Sequence, residues 1–294
     1  MGQDQSTEAA PAAEEDVKTG SESTDGEQAH ASLPTKEPAM GAIAEDDDPS
    51  EECNPQATEP AEQAPSTSMI ENMAADDVLT ALGVCTNLGD AVAATACCRR
   101  VRVLCRDMRQ RKQCDQLGAA RIVVGSFDAM RDDPMLVLQS LAAVVNLCSG
   151  ESHPPRTTAT EAGALRAAAQ AMEQHGHMIE ISEMACLVVQ NLCYGDDADA
   201  LNRRARAGAD GVINGIVTAY KRHPEIRETC IAACRLTVDR MPDLRQQAQR
   251  LGAGDDAVKP ITKEGGGFLS FRGGFGTSRK RANKAKAQQE SAGK

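Results

Sequence analysis

The sequence predicts an all-α domain of repeated helical units, flanked by a disordered tail at each end. Three observations predict it. Charge and apolar content change sharply along the 294 residues, aromatic residues make up only 2% of the chain, and short motifs recur at intervals of 44 or 45 residues. Repetition at this period is typical of supersecondary units that stack on one another.

Two segments have compositions that do not support a packed core. Residues 1–71 hold eighteen acidic residues against two lysines, and residues 254–294 form a Gly-rich tail with nine basic residues against two acidic ones from Lys259 onward. Few large apolar side chains are available there to offset the backbone entropy lost on ordering, roughly 1–2 kcal/mol per residue. We expect both tails to be disordered.

The region between the tails, residues 72–253, is rich in Ala, Leu, Val, Ile, Met and Cys. Its aromatic residues are Phe127, Tyr194 and Tyr220. A β-sandwich or barrel normally uses more aromatic and β-branched residues in alternation, whereas Ala-rich sequences favour helices. This region therefore predicts a helical core.

Two motifs in this region share one period. Glycine steps lie 45, 45 and 44 positions apart, at Gly118, Gly163, Gly208 and Gly252. The segment Asn146–Gly150 returns as Asn191–Gly195, and Arg235-Leu236 continues the series. In each unit the pattern predicts a short helix after the glycine, then a turn, then a long helix such as 134–148, 178–193 or 224–238. The predicted units are 72–117, 118–162, 163–207 and 208–253.

These motifs resemble the armadillo family. The step Ala162-Gly163-Ala164-Leu165 is similar to the family's Gly-Ala-Ile/Leu start, and Asn146-Leu147 and Asn191-Leu192 are similar to the Asn-Leu near the end of its third helix. The resemblance covers residues 72–253 and implies three-helix units stacked into a right-handed superhelical solenoid of about four units. HEAT repeats share the period, and another all-α fold is the remaining alternative.

The resemblance also implies a concave groove along the third helices. In peptide-binding members an asparagine there holds the backbone of an extended partner, because an amide both donates and accepts hydrogen bonds. Asn146 and Asn191 match that position, where the outer units have Val103 and Arg235. Four residues earlier, where nuclear-import members have tryptophan, the chain has Arg99, Ala142, Leu187 and Ile231.

This set of residues predicts a groove for an acidic or mixed protein segment rather than for a basic signal. An alternative interpretation of Asn146 and Asn191 is that each amide ties down the next turn of its own chain.

The sequence offers little for catalysis or for binding a metal or cofactor. No recognisable motif pairs the five histidines with Cys or Ser, no glycine loop has phosphate-binding spacing, and the eleven cysteines lack CxxC spacing. We therefore expect no enzymatic activity, no metal and no cofactor. An odd cysteine count without a secretory hydrophobic segment predicts a reducing compartment, and no apolar run reaches the roughly 20 residues that cross a bilayer.

Two further motifs lie in the tails. Residues 1–6 fit the N-myristoylation pattern, so Gly2 is a candidate lipidation site. One acyl chain gives only marginal membrane binding, and the basic tail would have to supply a second contact. Residues 265–286 contain an RGG-like run, which predicts RNA binding or nuclear localisation; the alternative is a solubilising tail that folds back on the acidic N-terminus.

These patterns favour a monomeric, non-enzymatic interaction scaffold in the cytoplasm. Its partner would be a protein or an extended peptide bound in the concave groove. A peripheral membrane protein acylated at Gly2, and an RNA-binding protein with a nuclear location, are the alternatives. The sequence leaves open whether the acidic tail occupies the groove of its own chain.

Overall fold

The computed structural model describes residues 64–150 and 154–261, which contain fourteen α-helices, one 3-10 helix and no strand. The predicted all-α class is therefore confirmed. The helices are α1 Thr67–Ile70, α2 Ala75–Leu88, α3 Ala91–Leu104, α4 Met108–Gln116, α5 Ala119–Ala129, α6 Pro134–Leu147, α7 Pro154–Glu161, α8 Ala164–Gln174, α9 Ile179–Cys193, α10 Ala198–Ala209, α11 Val212–Arg222, α12 Arg227–Val238, α13 Pro242–Arg250 and α14 Asp255–Val258, with the 3-10 helix at Pro224–Ile226.

Four long helices pack on one another in chain order. Helix α3 contacts α6, α6 contacts α9, and α9 contacts α12. A second series, α2, α5, α8 and α11, runs beside the first, and each of its helices also contacts the next long helix along the chain. The shorter helices α4, α7 and α10 contact both other helices of their own unit. Three helices therefore make up each of the units α4–α6, α7–α9 and α10–α12.

Helix α6 lies at the centre of this packing. Every residue from Leu136 to Leu147 is buried except the half-buried Leu138. Because α3 and α9 cover α6 from two sides, even its polar residues Gln139 and Ser140 are enclosed. Burial on all sides is the reason why the sequence of α6 is almost continuously apolar.

Aspartate side chains begin four helices. Asp90, Asp107, Asp133 and Asp197 precede α3, α4, α6 and α10, and each carboxylate accepts hydrogen bonds from backbone N–H groups of the first turn. These N–H groups have no partner within the helix, so a capping carboxylate satisfies them and complements the helix dipole. These four aspartates between helices are thus part of the helix starts.

The third glycine step lies at Gly211, whereas the regular spacing of the sequence predicted Gly208. Gly211 has a φ of 76° and directly precedes α11, as Gly118 precedes α5 with a φ of 74°. Gly208 lies inside α10, where an added Cβ would be 2.4 Å from Leu244 Cδ2. The physical reason is that α10, with 12 residues, is longer than α7 with eight. The boundary between the third and fourth units therefore moves by three residues.

The packed region is longer than the predicted range 72–253 at both ends. Ile70 of α1 is fully buried, and Ala257 and Val258 of α14 are buried where α14 packs on α12. Isolated buried residues in a polar surrounding produce no helical period, so the sequence pattern did not reveal them. The predictions for residues 1–63 and 262–294, including Gly2 and residues 265–286, lie outside the described residues.

Histidines in the turns connect neighbouring units. The Nε2 atom of His175 is 2.8 Å from the carbonyl oxygen of Arg131, and that of buried His223 is 2.7 Å from the carbonyl oxygen of Gly176. Each ring nitrogen can donate to a carbonyl one unit earlier in the chain. These two histidines therefore belong to the structural contacts between units.

Candidate partner-binding surface

An open groove lies where α1, α3 and the start of α6 meet. Its volume is about 630 Å³. It is lined by Thr67, Glu71, Ala91, Val92, Thr95, Ala96, Arg99, Arg100, Val103, Asp133 and Met135. The groove contains Arg99 and Val103. These are the two residues of α3 that the sequence aligned with the partner-binding positions of the armadillo family.

Exposed apolar side chains line the groove. Val92 is 72% exposed, Val103 is 41% exposed and Met135 is 47% exposed. A single exposed apolar side chain is ordinary, but three around one concavity form a patch of the kind that contacts other molecules. Glu71 places a carboxylate at one end of the groove. The other carboxylate of the groove, that of Asp133, caps α6 by accepting hydrogen bonds from the N–H groups of Met135 and Leu136.

Asn146 and Asn191 are not among the residues that line this groove, and their side-chain amides are hydrogen-bonded to other residues of the chain. Asn146 is buried, and its Nδ2 donates to the carbonyl of Arg102 at 2.8 Å. Asn191 is half-buried, and its Nδ2 donates to the carbonyl of Val145 at 2.8 Å. Each amide therefore connects its long helix to the end of the long helix that precedes it.

The end of a helix explains why these carbonyls accept an amide. The N–H groups of Arg106 and Ser149 donate to the carbonyls of Val103 and Asn146, three residues earlier, so the chain tightens where α3 and α6 end. Carbonyls in the last turn of a helix need hydrogen-bond donors from elsewhere. The sequence-based alternative was a bond to the next turn, but the amides instead cross to the preceding unit.

The four predicted groove residues that lie four positions before Val103, Asn146, Asn191 and Arg235 differ in exposure. Arg99 is exposed, Ala142 and Ile231 are buried, and Leu187 is half-buried. The α6 position is closed where α6 packs between α3 and α9, and Arg102 Nη1 of α3 donates to Gln139 Oε1 of α6 at 3.0 Å. The row of predicted residues is therefore open to large molecules mainly at α3.

The predicted row is covered at its other end as well. Arg235 of α12 is half-buried, and its Nη2 is 3.4 Å from the carbonyl oxygen of Pro260. Pro260 follows α14, which packs on α12. The residues after α13 thus fold back beside Arg235, which the sequence pattern had assigned to an open groove.

Three buried arginines, none of them among the site residues predicted from the sequence, hold the ends of the long helices. Arg156, Arg203 and Arg204 are between 1% and 4% exposed. Arg203 donates from Nε to the carbonyl of Leu192 and from Nη2 to that of Tyr194, at 2.6 and 3.1 Å. Their guanidinium groups supply the donors that the last carbonyls of α6 and α9 need.

A sequence signal exists for two of these arginines, Arg156 and Arg204. An arginine stands seven residues before each glycine of positive φ that follows a short helix, at Arg111, Arg156, Arg204 and Arg245 before Gly118, Gly163, Gly211 and Gly252. The signal becomes visible only when Gly211 replaces Gly208 as the third step.

The cysteines of the described residues lie in the core. The ten cysteines of the described residues are buried and carry free thiols. Burial raises the pKa of the Cys148 thiol to about 12. Because the thiolate is the nucleophile, a raised pKa makes this cysteine unreactive at neutral pH. No group of three or more His, Cys, Asp or Glu side chains in the described part of the chain is placed to hold a metal ion.

We predict that Asn146→Ala lowers the free energy of unfolding by about 1–3 kcal/mol, because the Arg102 carbonyl loses the amide that donates to it. Asn87→Ala is the matched control, since Asn87 is exposed on α2. Urea unfolding followed by circular dichroism measures both. Equal stability of the two variants would show that the hydrogen bond from Asn146 contributes nothing.

The described helices include none with the length and apolar content needed to span a bilayer. Comparison with known proteins gives no match: no protein-family model, no curated protein and no solved structure is similar to the chain.

Proposed function

We propose that the protein is a non-enzymatic scaffold with an armadillo-like solenoid, which binds a segment of a partner protein in the groove along α3. The observation that carries the proposal is the cluster of exposed apolar side chains, Val92, Val103 and Met135, around one open groove that also contains Arg99. Exposed apolar patches with polar rims commonly mark interaction sites.

The order of the helices supports the solenoid assignment. The long helices contact one another in chain order, and contacts between units are made mainly by neighbours. This is the arrangement of repeat proteins, in which each unit buries its apolar face against the next. A third, short helix in each unit favours the armadillo type over the two-helix HEAT type.

The groove chemistry indicates what the partner carries. Arg99 is exposed, and its side chain makes no hydrogen bond or ion pair with another described residue. A guanidinium binds a carboxylate through two parallel hydrogen bonds. The partner segment would place apolar side chains against Val103 and Met135 and a carboxylate on Arg99.

The cysteines support the proposed location. Ten free, buried thiols in the described residues fit a reducing compartment such as the cytoplasm, where disulfides are rare.

Selection of a phage-displayed library of random peptides on the full chain tests the groove. We expect the enriched peptides to combine apolar residues with Asp or Glu. Met135→Asp should weaken binding of a selected peptide about tenfold or more, because it removes an apolar contact and repels the carboxylate. Fluorescence anisotropy of the labelled peptide gives the dissociation constant.

Leu88→Asp is the matched control for the groove. Leu88 is 52% exposed, close to the value for Met135, and is not among the groove residues. It should leave peptide binding unchanged. The absence of any enriched motif, or equal binding by the Met135→Asp and Leu88→Asp variants, would reject the groove as the partner site.

A further inference from the structure

The floor of the groove is one continuous side of α3. Six residues of this helix that line the groove lie at three- and four-residue spacing, and we call them the α3 stripe: Val92, Thr95, Ala96, Arg99, Arg100 and Val103. They extend over about 17 Å, or three helical turns. The opposite side of α3 is buried. The α3 stripe is thus the side of the helix that no other long helix of the described residues covers.

Small side chains form the middle of the α3 stripe. Thr95 and Ala96 lie there, and both are half-buried. Larger apolar side chains stand at the two ends, where Val92 and Val103 are exposed. The distance between two packed helices depends on the side chains at the contact, and small ones permit a close approach. The stripe is therefore suited to a second helix that lies along α3.

The groove offers little to the main chain of an extended segment. Six extended residues carry about twelve backbone N–H and C=O groups, which need partners when they leave water. No Asn or Gln is among the described residues that line the groove, and the amides of Asn146 and Asn191 are used within the chain. Arg100 Nε donates to the carbonyl of Met73, and the Asp133 carboxylate caps α6. A helix satisfies its own backbone groups and does not need such partners.

The charge of the α3 stripe favours an acidic partner over a second copy of the chain. Arg99 is exposed and lies near the middle of the stripe. Two copies packed antiparallel through the stripe, with Val92 against Val103, would bring the two Arg99 residues within about 5 Å of one another along the helix axis. Like charges at that separation repel. A carboxylate at the same place instead pairs with the guanidinium.

We propose that the segment bound in this groove is an amphipathic α-helix of a partner protein, about three turns long, that lies along α3. The inference rests on the proposed function and names the conformation of its partner. One face of the partner helix places apolar side chains against Val92, Val103 and Met135. A carboxylate on the same face binds Arg99. This partner differs from the extended peptide that the armadillo resemblance implies.

A peptide selected on the full chain by phage display is the probe for this helix. When it is labelled with ¹³C at its Cα atoms and bound to the full chain, its Cα chemical shifts should be those of a helix over about eleven residues. Proline at a central position that faces away from the groove, located by an alanine scan, should weaken binding at least tenfold because it breaks the helix. Alanine at that position should leave the dissociation constant within about twofold, which separates loss of the helix from loss of a contact.

Variants of the chain test the close approach and the charge. Thr95→Trp places a large side chain in the middle of the α3 stripe and should weaken binding of the selected peptide about tenfold or more. Thr80→Trp is the matched control, since Thr80 is exposed on α2 and is not among the groove residues. Arg99→Glu should also weaken binding, and exchanging the carboxylate of the peptide for lysine should restore it. Thermal unfolding confirms that each variant is folded.

The results separate the helical partner from the groove itself. Bound peptides with extended Cα shifts, or peptides that accept the proline without loss, would overturn the helical partner and leave the groove as the partner site. Failure to enrich any peptide would overturn both. Light scattering of the full chain should show a monomer, and a dimer that Thr95→Trp dissociates would assign the groove to a second copy. Enriched peptides that match a stretch of this chain would assign it to the chain itself.

Discussion

Arg204→Ala is expected to lower the free energy of unfolding by about 3–5 kcal/mol, the largest effect of any single substitution considered. Arg204 is 1% exposed. Its Nε donates to the carbonyl of Cys193, its Nη2 to that of Gly195, and its Nη1 to both the carbonyl and the carboxylate of Asp239. Alanine would remove all of these donors and leave a cavity between α9, α10 and the end of α12.

Arg206→Ala is the control on the same helix. Arg206 is exposed and pairs with Asp210 in the i, i+4 arrangement at 3.2 Å. Such a surface pair contributes about 0.3–0.5 kcal/mol, so this variant should be close to wild type. Urea unfolding of both variants gives the comparison. A loss below 1 kcal/mol for Arg204→Ala would mean that water replaces the guanidinium in the core.

Stability is also expected to fall steeply at alkaline pH. Burial raises the pKa of the Cys98, Cys148 and Cys193 thiols from an ordinary value of 9.0 to about 11, 12 and 11. Above pH 9 the unfolded chain loses these protons while the folded chain keeps them, so unfolding becomes more favourable. The stability from each thiol is complete below pH 9 and is lost as the pH rises towards the folded pKa.

The size of the alkaline effect follows from the proton linkage. Each of these three thiols contributes about 1.4 kcal/mol per pH unit between pH 9 and its folded pKa, so the three together lower the free energy of unfolding by about 4 kcal/mol by pH 10. Urea unfolding in the presence of a phosphine reductant measures it. Cys148→Ala removes one of the titrating thiols and should reduce the loss by about 1.4 kcal/mol. An unchanged loss in that variant would show that other groups cause it.

The helices of the repeat could be predicted closely because their signals are local. The predicted long helix 134–148 corresponds to α6, and 178–193 corresponds to α9 to within one residue. A proline at Pro134 and apolar residues at three- and four-residue spacing specify where such a helix begins and which side is buried. At 224–238 the same signals gave the right range, although its first turn is a 3-10 helix.

The candidate site could be predicted only in part. The sequence placed Arg99 in the groove, but it also placed Ala142 and Asn146 there, and these are buried. A repeat period shows which residues occupy equivalent positions, but not how closely adjacent helices approach. At α6, which packs between α3 and α9, the position is buried, whereas on α3, whose one long-helix neighbour is α6, it is exposed.

The third glycine step illustrates a similar limit. Gly208 and Gly211 are three residues apart, and the regular spacing favoured Gly208. The choice depends on the length of α10 and on the contact between Gly208 and Leu244, which a period cannot reveal.

The amides of Asn146 and Asn191 make the hydrogen bonding of one unit depend on the unit that follows it. Each caps a carbonyl that precedes it by 44 or 46 residues. During synthesis from the N-terminus, the end of α3 stays uncapped until α6 has emerged, and the end of α6 until α9 has emerged. A nascent chain stopped after any of these units would therefore expose one unsatisfied helix end, and each module reaches its final hydrogen bonding only after the next has been made.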